Sequence, residues 1–357
     1  MNTQAYQLQF HTPAFLGDAA QSARWRTPPI KALLRQWWRV VYAADHQFAV
    51  NVNEMRTEEG LLFGHAWLTN DVDSEGTPVS ARRSEVRLRL DRWAAGMLKN
   101  WEPLERVTHP EVRVQVGSDL YMGYGPLKLE SGAREPSLKG NAAIQANEQA
   151  RLSLAFPERH ASRIQKALWL MNQYGTLGGR SRNGWGSFSL RPDADQTALT
   201  ADTVQPLRSW TDCLKLEWPH AIGTDEGGRP LIWQTEPHAD WKAVMKTLAM
   251  IKIELRTKLF KFNSGKDAQQ PEDRHWLSYP VTNHSVKLWG NNARLPNTLR
   301  FKVRKTAIGQ CIGVIFHMPC LPVESFKPDK RRIEDVWRRV HGHLDETRSK
   351  PLTRIAA

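Results

Sequence analysis

Apolar side chains recur along this chain at two spacings, and the changes from one to the other outline its elements. The opening "AYQLQF" alternates Tyr6, Leu8 and Phe10 with glutamine, the period of two that marks a half-buried strand. From Thr27, read as an N-cap with Pro28 and Pro29 suited to a first turn, Ile30, Leu33, Leu34, Trp37, Trp38 and Val41 fall on one helical face. Residues 62–90 read as an irregular insertion ending in a strand, with Val86, Leu88 and Leu90 facing inward and Arg87 and Arg89 outward. "EVRVQV" and "EQARLSLAF" add two strands, and a helix through Ile164, Ala167, Leu168 and Met171 stops at Gly175. "TLGGRSRNGWGSFSL" then carries a glycine-rich loop into a last strand. Strand, helix, strands, helix, strand is the order of a ferredoxin-like unit with insertions.

The polar, weakly patterned stretch 191–209 is read as a linker, after which the order partly repeats. "CLKLEW" is taken as a short strand, followed by a helix through Trp241, Val244, Leu248, Ile251, Leu255 and Leu259. Strands "LRFKV" and "CIGVIFH" follow, and a last helix places Ile333, Val336, Trp337, Val340 and Leu344 on one face. The expected fold is therefore α+β, with two ferredoxin-like (RRM-like) domains carrying insertions, the second more degenerate. The domains run from 1 to 190 and from 210 to 357. No sequence repeat accompanies the repeated order.

Composition adds a partner class. Fifty lysines and arginines against 37 acids leave a net charge of +13, which favours nucleic acid or another anionic surface. Residues Gln21 to Arg39 hold five basic side chains and three tryptophans without one acid. Three cysteines, Cys213, Cys311 and Cys320, with no CxxC spacing argue against a disulfide framework and a cysteine zinc site. The first fifteen residues lack a basic start followed by an apolar run, and no window reaches the length of a membrane span, so no membrane partner and a cytoplasmic location are expected.

Two stretches can address phosphates. On the first helix Lys31, Arg35 and Arg39, spaced by four, form a basic stripe beside the apolar face, preceded by Arg24 and Arg26. In the loop from Leu177 to Ser187, glycines at 178, 179, 184 and 186 permit turns with positive φ and expose amides, while Arg180 and Arg182 offer bidentate contacts. No Gly-Lys-Ser/Thr closes that loop and it precedes a strand, which sets it apart from nucleotide-binding loops. Arg83, Arg87 and Arg89 extend the expected track, and Trp25 or Trp185 is a candidate for stacking on a base.

In order along the chain, "TPAFLG", "RTPPIKALLRQWWR", "EGLLFG" with "SARRSEVRL", "YMGYGP" and "YGTLGGRSRNGWGS" resemble the landmarks of the CRISPR-associated RAMP superfamily, and within it the first-numbered RAMP subunits of type III-B Cmr effector complexes. The resemblance covers about residues 12 to 188. It implies a pair of RRM-like modules that bind a guide RNA and its target RNA beside other RAMP subunits of a CRISPR effector complex. By the same resemblance the basic helix motif falls on Ile30, Lys31, Leu34 and Arg35, and the glycine-rich motif on Gly178, Gly179, Arg180, Ser181, Arg182, Gly184 and Gly186. Ala32 stands where the family usually has glycine, and its methyl limits close backbone approach.

Some RAMP subunits cut RNA, so an endoribonuclease is the competing class. Asp18 lies in the loop from which slicing subunits present an aspartate, and His11 at the end of the first strand is a candidate base for guide processing, without a second histidine or lysine nearby. A free-standing RNA-binding protein is a third reading. His341 and His343, two apart on a helix, do not share a face. "DVDSEG" opens like a calcium loop, but position 12 is Arg82 where a glutamate is required. The favoured expectation is binding, with no catalytic residue, no metal and no cofactor.

Overall fold

The computed structural model describes residues 1–19, 22–66, 68, 70–194, 199, 206–290, 292–346 and 351–356. In the first half, strand β1 (Asn2–Phe10) leads to helix α1 (Thr27–Asp45), helix α2 (Val52–Phe63) and strand β2 (Arg87–Leu90). Strand β3 (Gln149–Phe156), helix α3 (Ala161–Tyr174) and strand β4 (Phe188–Pro192) complete it. The sheet is wholly antiparallel in the order β2-β3-β1-β4. All six apolar positions read on α1 are buried. Its N-cap is Arg26, without a side-chain cap bond, so Thr27 already belongs to the helix and the prolines occupy its first turn.

Three local readings of this half change. Ahead of the stretch read as an insertion, and overlapping only its first two residues, lies the unpredicted helix α2, capped by Asn51, whose side chain accepts from the amides of Asn53 and Glu54. Its buried residues include Glu59 and Gly60, which break any apolar stripe and hide the helix from a periodicity search. "EVRVQV" is mostly turn and bend, with only Val116–Gly117 paired to Arg106–Val107, outside the main sheet. Gly175 ends α3 at φ −73°, so the stop is not a left-handed one; a Cβ there would lie 2.3 Å from the Met171 carbonyl oxygen.

The second half contains strand β5 (Ile232–Thr235), helix α4 (Trp241–Thr257), strand β6 (Leu299–Lys305), strand β7 (Cys311–His317), helix α5 (Lys330–Glu346) and strand β8 (Leu352–Arg354). Its sheet runs β6-β7-β5-β8, again antiparallel, the same order of first, second, third and fourth strands as in the first half. "CLKLEW" is not its first strand: Trp210–Cys213 is a short helix followed by turn and bend, and β5 takes that place. Of the stretch read as a linker, residues 195–198 and 200–205 lie outside the described residues, while Arg191 and Pro192 belong to β4.

Alternation along β7 explains how the halves join. Every residue of this strand is buried, with Ile312, Val314 and Phe316 in the core of the first half and Cys311 and Ile315 in that of the second. The second sheet thus rests one face on the helices of the first half, where the rings of Tyr174 and Phe316 lie 5.1 Å apart, and the other on α4 and α5. Next to it, the polar face of β6 serves the end of α3. Lys302 Nζ donates to the carbonyls of Asn172 and Gly175, each at 2.7 Å, and Arg304 Nε donates to that of Gln173 at 2.9 Å. A helix C-terminus leaves such carbonyls unpaired and carries partial negative charge, so cations from the partner half satisfy both needs.

Candidate nucleic-acid interface

The two predicted basic features are handled in opposite ways. On α1, Lys31 Nζ donates to the Phe63 carbonyl at 2.9 Å, while Arg35 and Arg39 each meet Glu59 at 2.8 Å. Glu59 is 1% exposed, and the Arg35 guanidinium also lies 5.9 Å from the Phe63 ring centre. The landmark "EGLLFG" therefore supplies the acid, the carbonyl and the ring that the basic helix motif needs. The stripe is half-buried and tied to α2. A buried carboxylate held by two guanidiniums is satisfied within the fold and leaves little charge for an outside anion.

The glycine-rich loop has a different setting. Gly178 and Gly186 adopt φ of +96° and +65°, and a Cβ at Gly186 would lie 1.8 Å from the Leu177 oxygen, so no side chain fits there. Gly184 also has a positive φ, and so does Arg180 at 54°, whereas Gly179 does not. The loop is fixed from three sides. Thr12 Oγ1 donates to the Gly184 carbonyl, Asn183 Nδ2 donates to that of Met122, and the Phe301 amide of β6 donates to that of Arg182. Arg180 Nε donates to the Tyr124 carbonyl in the landmark "YMGYGP". Arg180 and Arg182 nevertheless remain exposed, and Ser181 half-exposed.

These arginines open onto a cleft of about 890 Å³ between the halves, within the size range of ligand sites. Its walls are the loop from Thr176 to Asn183, the Trp37 side of α1, α4, and the segments around Pro280 and Pro296. Six cations line it, Arg180, Arg182, Lys252, Arg256, Arg294 and Arg300, with no aspartate or glutamate among the described lining residues. Lys252 donates to Asn183 Oδ1 at 2.8 Å, and Arg256 to Ser278 Oγ at 3.1 Å. Burial, with Arg256 and Arg180 close by, pushes the Lys252 ammonium well below the ordinary lysine range. Burial likewise disfavours the charge of Arg300, reinforced by Arg182, and its Nε has no partner among the described residues. Desolvated cations such as Lys252 and Arg300, with no acid among the described residues lining the cleft, gain most from an entering anion.

The remaining candidates scatter. Arg83, Arg87 and Arg89 are exposed, but β2 and β4 are the two edges of the first sheet, so this row and the glycine-rich loop are separated by three strand spacings, roughly 14 Å. Arg24 is exposed and lies 4.0 Å from Asp18, while Arg26 is half-buried. Trp25 and Trp185 are fully buried, Trp25 donating to Glu148, so both are core and neither is placed to stack on a base. Asp18 accepts from the Ser22 amide at 3.0 Å and lines a separate cavity. His11 is 3% exposed, and burial, reinforced by Lys302, Lys305 and Arg191, lowers it to about 3. Neither Asp18 nor His11 lines the basic cleft. In the calcium-like stretch, Asp71 is ion-paired to Arg82 and bonded to His65.

Lys252, Arg256, Arg294 and Arg300 were not singled out in the sequence. A signal existed for two of them: Lys252 follows Leu248 by four and Arg256 follows Lys252 by four, placing cations in line with the apolar face of α4.

The family model of the RAMP superfamily matches residues 7–189, just over half of the 357 residues, and the chain belongs to that superfamily. Among solved structures it is similar to Cmr1 from Pyrococcus furiosus in its apo form, with 15% identity over 100% of this chain and 99% of that one and a TM-score of 0.46. It is also similar to a chain of type III-B Cmr-beta bound to cognate target RNA and AMPPnP in the presence of single-stranded DNA, at 10% identity over 94% of this chain and 98% of that one, TM-score 0.46. A chain of Cmr-beta bound to cognate target RNA gives 11% identity over 95% and 99%, TM-score 0.44. No curated protein matches.

Proposed function

We propose that this chain is a non-catalytic RNA-binding subunit of a type III CRISPR ribonucleoprotein effector, which binds guide RNA, helps to capture target RNA and contacts other RAMP subunits. Membership of the RAMP superfamily supports the setting, and the twice-repeated strand order supports a pair of RRM-like, ferredoxin-like modules. The observation that carries the reading is the cleft that gathers Arg180, Arg182, Lys252, Arg256 and Arg300 with no acid among its described lining residues. Arginine forks and a lysine on a track between two modules suit a phosphate backbone, which is recognised by charge and shape. On this reading the cleft is the RNA track, and the α1 stripe holds α2 in place.

A role without cleavage fits the surroundings of the two candidate catalytic groups. The Asp18 carboxylate closes a turn, and His11 is sealed beneath the sheet ends with three cations opposing its protonation. Neither group shares the cavity that carries the cations. The test is RNA affinity of the full chain against salt for wild type and for Arg180→Ala/Arg182→Ala. Salt-dependent binding that weakens in the variant is expected. Equal affinity and equal slope for the two proteins would remove the cleft from the function.

A further inference from the structure

Five of the six tyrosines are buried or half-buried, and the sixth, Tyr124, is 63% exposed and lines the basic cleft. Resting on the reading of the cleft as an RNA track, we infer that Tyr124 is a stacking platform of that track, the side chain on which one unpaired base of the bound strand lies, whichever base it is.

A lone exposed aromatic is ordinary on a protein surface, and Tyr124 differs in its mount and its neighbours. The short helix Ser118–Gly123 ends just before it, and Asn183 Nδ2 holds the Met122 carbonyl at 2.7 Å. The carbonyl of Tyr124 itself accepts from Arg180 Nε at 2.5 Å. Gly125 then turns the chain at φ +119°, and its amide donates to the Leu127 carbonyl. The backbone that carries the ring is thus tied to the glycine-rich loop, and a tyrosine has only two side-chain torsions left to fix, so little freedom is lost when a base settles on it. The neighbours decide the occupant. Arg180, Ser181 and Arg182 line the cleft with Tyr124, and no aspartate or glutamate is among the described lining residues. A nucleotide joins its base to its phosphate through one sugar, so a base on the ring brings phosphates towards these arginines. An apolar side chain of a protein partner would call for a continuous apolar patch, whereas the residues tied to Tyr124 here are polar. Every base has a π-face, so the contact carries no sequence preference.

The test uses the full chain and a short oligouridylate, with Tyr124→Ala, Tyr124→Leu and Tyr124→Phe. Trp93→Ala is the control, since Trp93 is 57% exposed and is not among the described residues lining the cleft. The alanine and leucine variants are expected to bind roughly tenfold more weakly, within the range for one stacked base, at an unchanged salt slope because no charge is removed. The phenylalanine variant and the control should bind as wild type, and all four should melt as wild type because the substituted side chains are exposed. Irradiating the wild-type complex with a strand that carries 5-iodouridine should attach the RNA at Tyr124, read by mass spectrometry of the linked peptide. Wild-type affinity in Tyr124→Ala and no attachment at Tyr124, with binding still weakened in Arg180→Ala/Arg182→Ala, would overturn the platform and leave the track standing. A loss in Tyr124→Ala that comes with a flatter salt slope would also overturn it, because the tyrosine would then act by placing Arg180. So would recovery in Tyr124→Leu, or an equal loss in Trp93→Ala. Absence of salt-dependent binding in the wild type would overturn platform and track together.

Discussion

The stripe on α1 and the cleft between the halves carry the same kind of side chain and meet opposite fates. Lys31, Arg35 and Arg39 are answered inside the fold by the Phe63 carbonyl and by Glu59. The six cations of the cleft have no acid among the described residues that line it with them. A row of positive charge in a sequence is therefore not yet a binding site. What matters is whether an acid from another element arrives to neutralise it, and here a single glutamate on α2 makes the difference.

The largest test of that contrast is in the cleft. Arg180→Ala/Arg182→Ala should lower RNA affinity by about a hundredfold, from two lost charge-assisted contacts, and flatten the slope of log affinity against log salt by roughly 1.4 for a single strand. Its melting temperature should fall only slightly, because both arginines are exposed and the bond of Arg180 to the Tyr124 carbonyl is the one fold contact described for them that is lost. Titration of RNA across salt concentrations, with a thermal melt alongside, measures both. A variant that melts early and binds normally would reverse the contrast.

Lys31→Ala/Arg35→Ala should do the opposite. Removing Arg35 leaves Glu59, 1% exposed, with Arg39 alone, and loss of Lys31 frees the Phe63 carbonyl; together these should cost about 2 to 3 kcal/mol of stability. Denaturant melts would show it, and Glu59→Gln added to the double variant should recover part of the loss. The salt slope of RNA binding should stay as in wild type, and a flatter slope in a protein of undiminished stability would return the stripe to the RNA.

Acid separates fold from binding by another route. Burial is the first cause that lowers His11 and His341 to about 3, and His220 and His275 to about 4. In the unfolded chain these groups take up protons near pH 6.5, while in the folded protein they stay neutral until far lower pH. Their contribution to stability is complete above about 6.5 and is lost as pH falls towards 4, by up to about 1.4 kcal/mol per pH unit for each group. Melts between pH 7.5 and 5 should show a falling midpoint, while RNA affinity of the still-folded protein should not fall with it, because the arginines keep their charge and the depressed Lys252 ammonium can only gain charge as pH drops. A pH-independent midpoint would contradict the buried neutral histidines. The smallest effect is expected for Asp18→Ala, which removes the turn contact to Ser22 and the 4.0 Å pair with exposed Arg24 and should leave any target cleavage by an assembled complex intact. Loss of a cut, with assembly unchanged, would make Asp18 catalytic.

Much of the local structure was legible. Ile30, Leu33, Leu34, Trp37, Trp38 and Val41 repeat with the period of a helix, and each is buried in α1 because an apolar face must find a core whatever the topology. Gly178 and Gly186 occupy φ values open to few other residues, so their place in a tight loop was written in residue type alone. The helix α2 was not legible, since Glu59 and Gly60 sit on its buried side and only the arrival of Arg35 and Arg39 makes that burial affordable. "CLKLEW" has the alternation of a strand but no neighbouring strand to pair with among the described residues, and pairing is a property of the sheet.

From the sequence alone follow the positive balance, the two α/β halves and the loop whose glycines let a backbone turn sharply, all set by residue type and by spacings of a few residues. The tertiary structure decided which charges stay available. Arg35 is neutralised across 24 residues, Lys302 is used up on a helix end 130 residues away, and Arg180, Arg182, Lys252 and Arg300 converge on one cleft from both halves. Electrostatic neutralisation depends on distance in space and on exclusion of water, and the linear order of residues records neither.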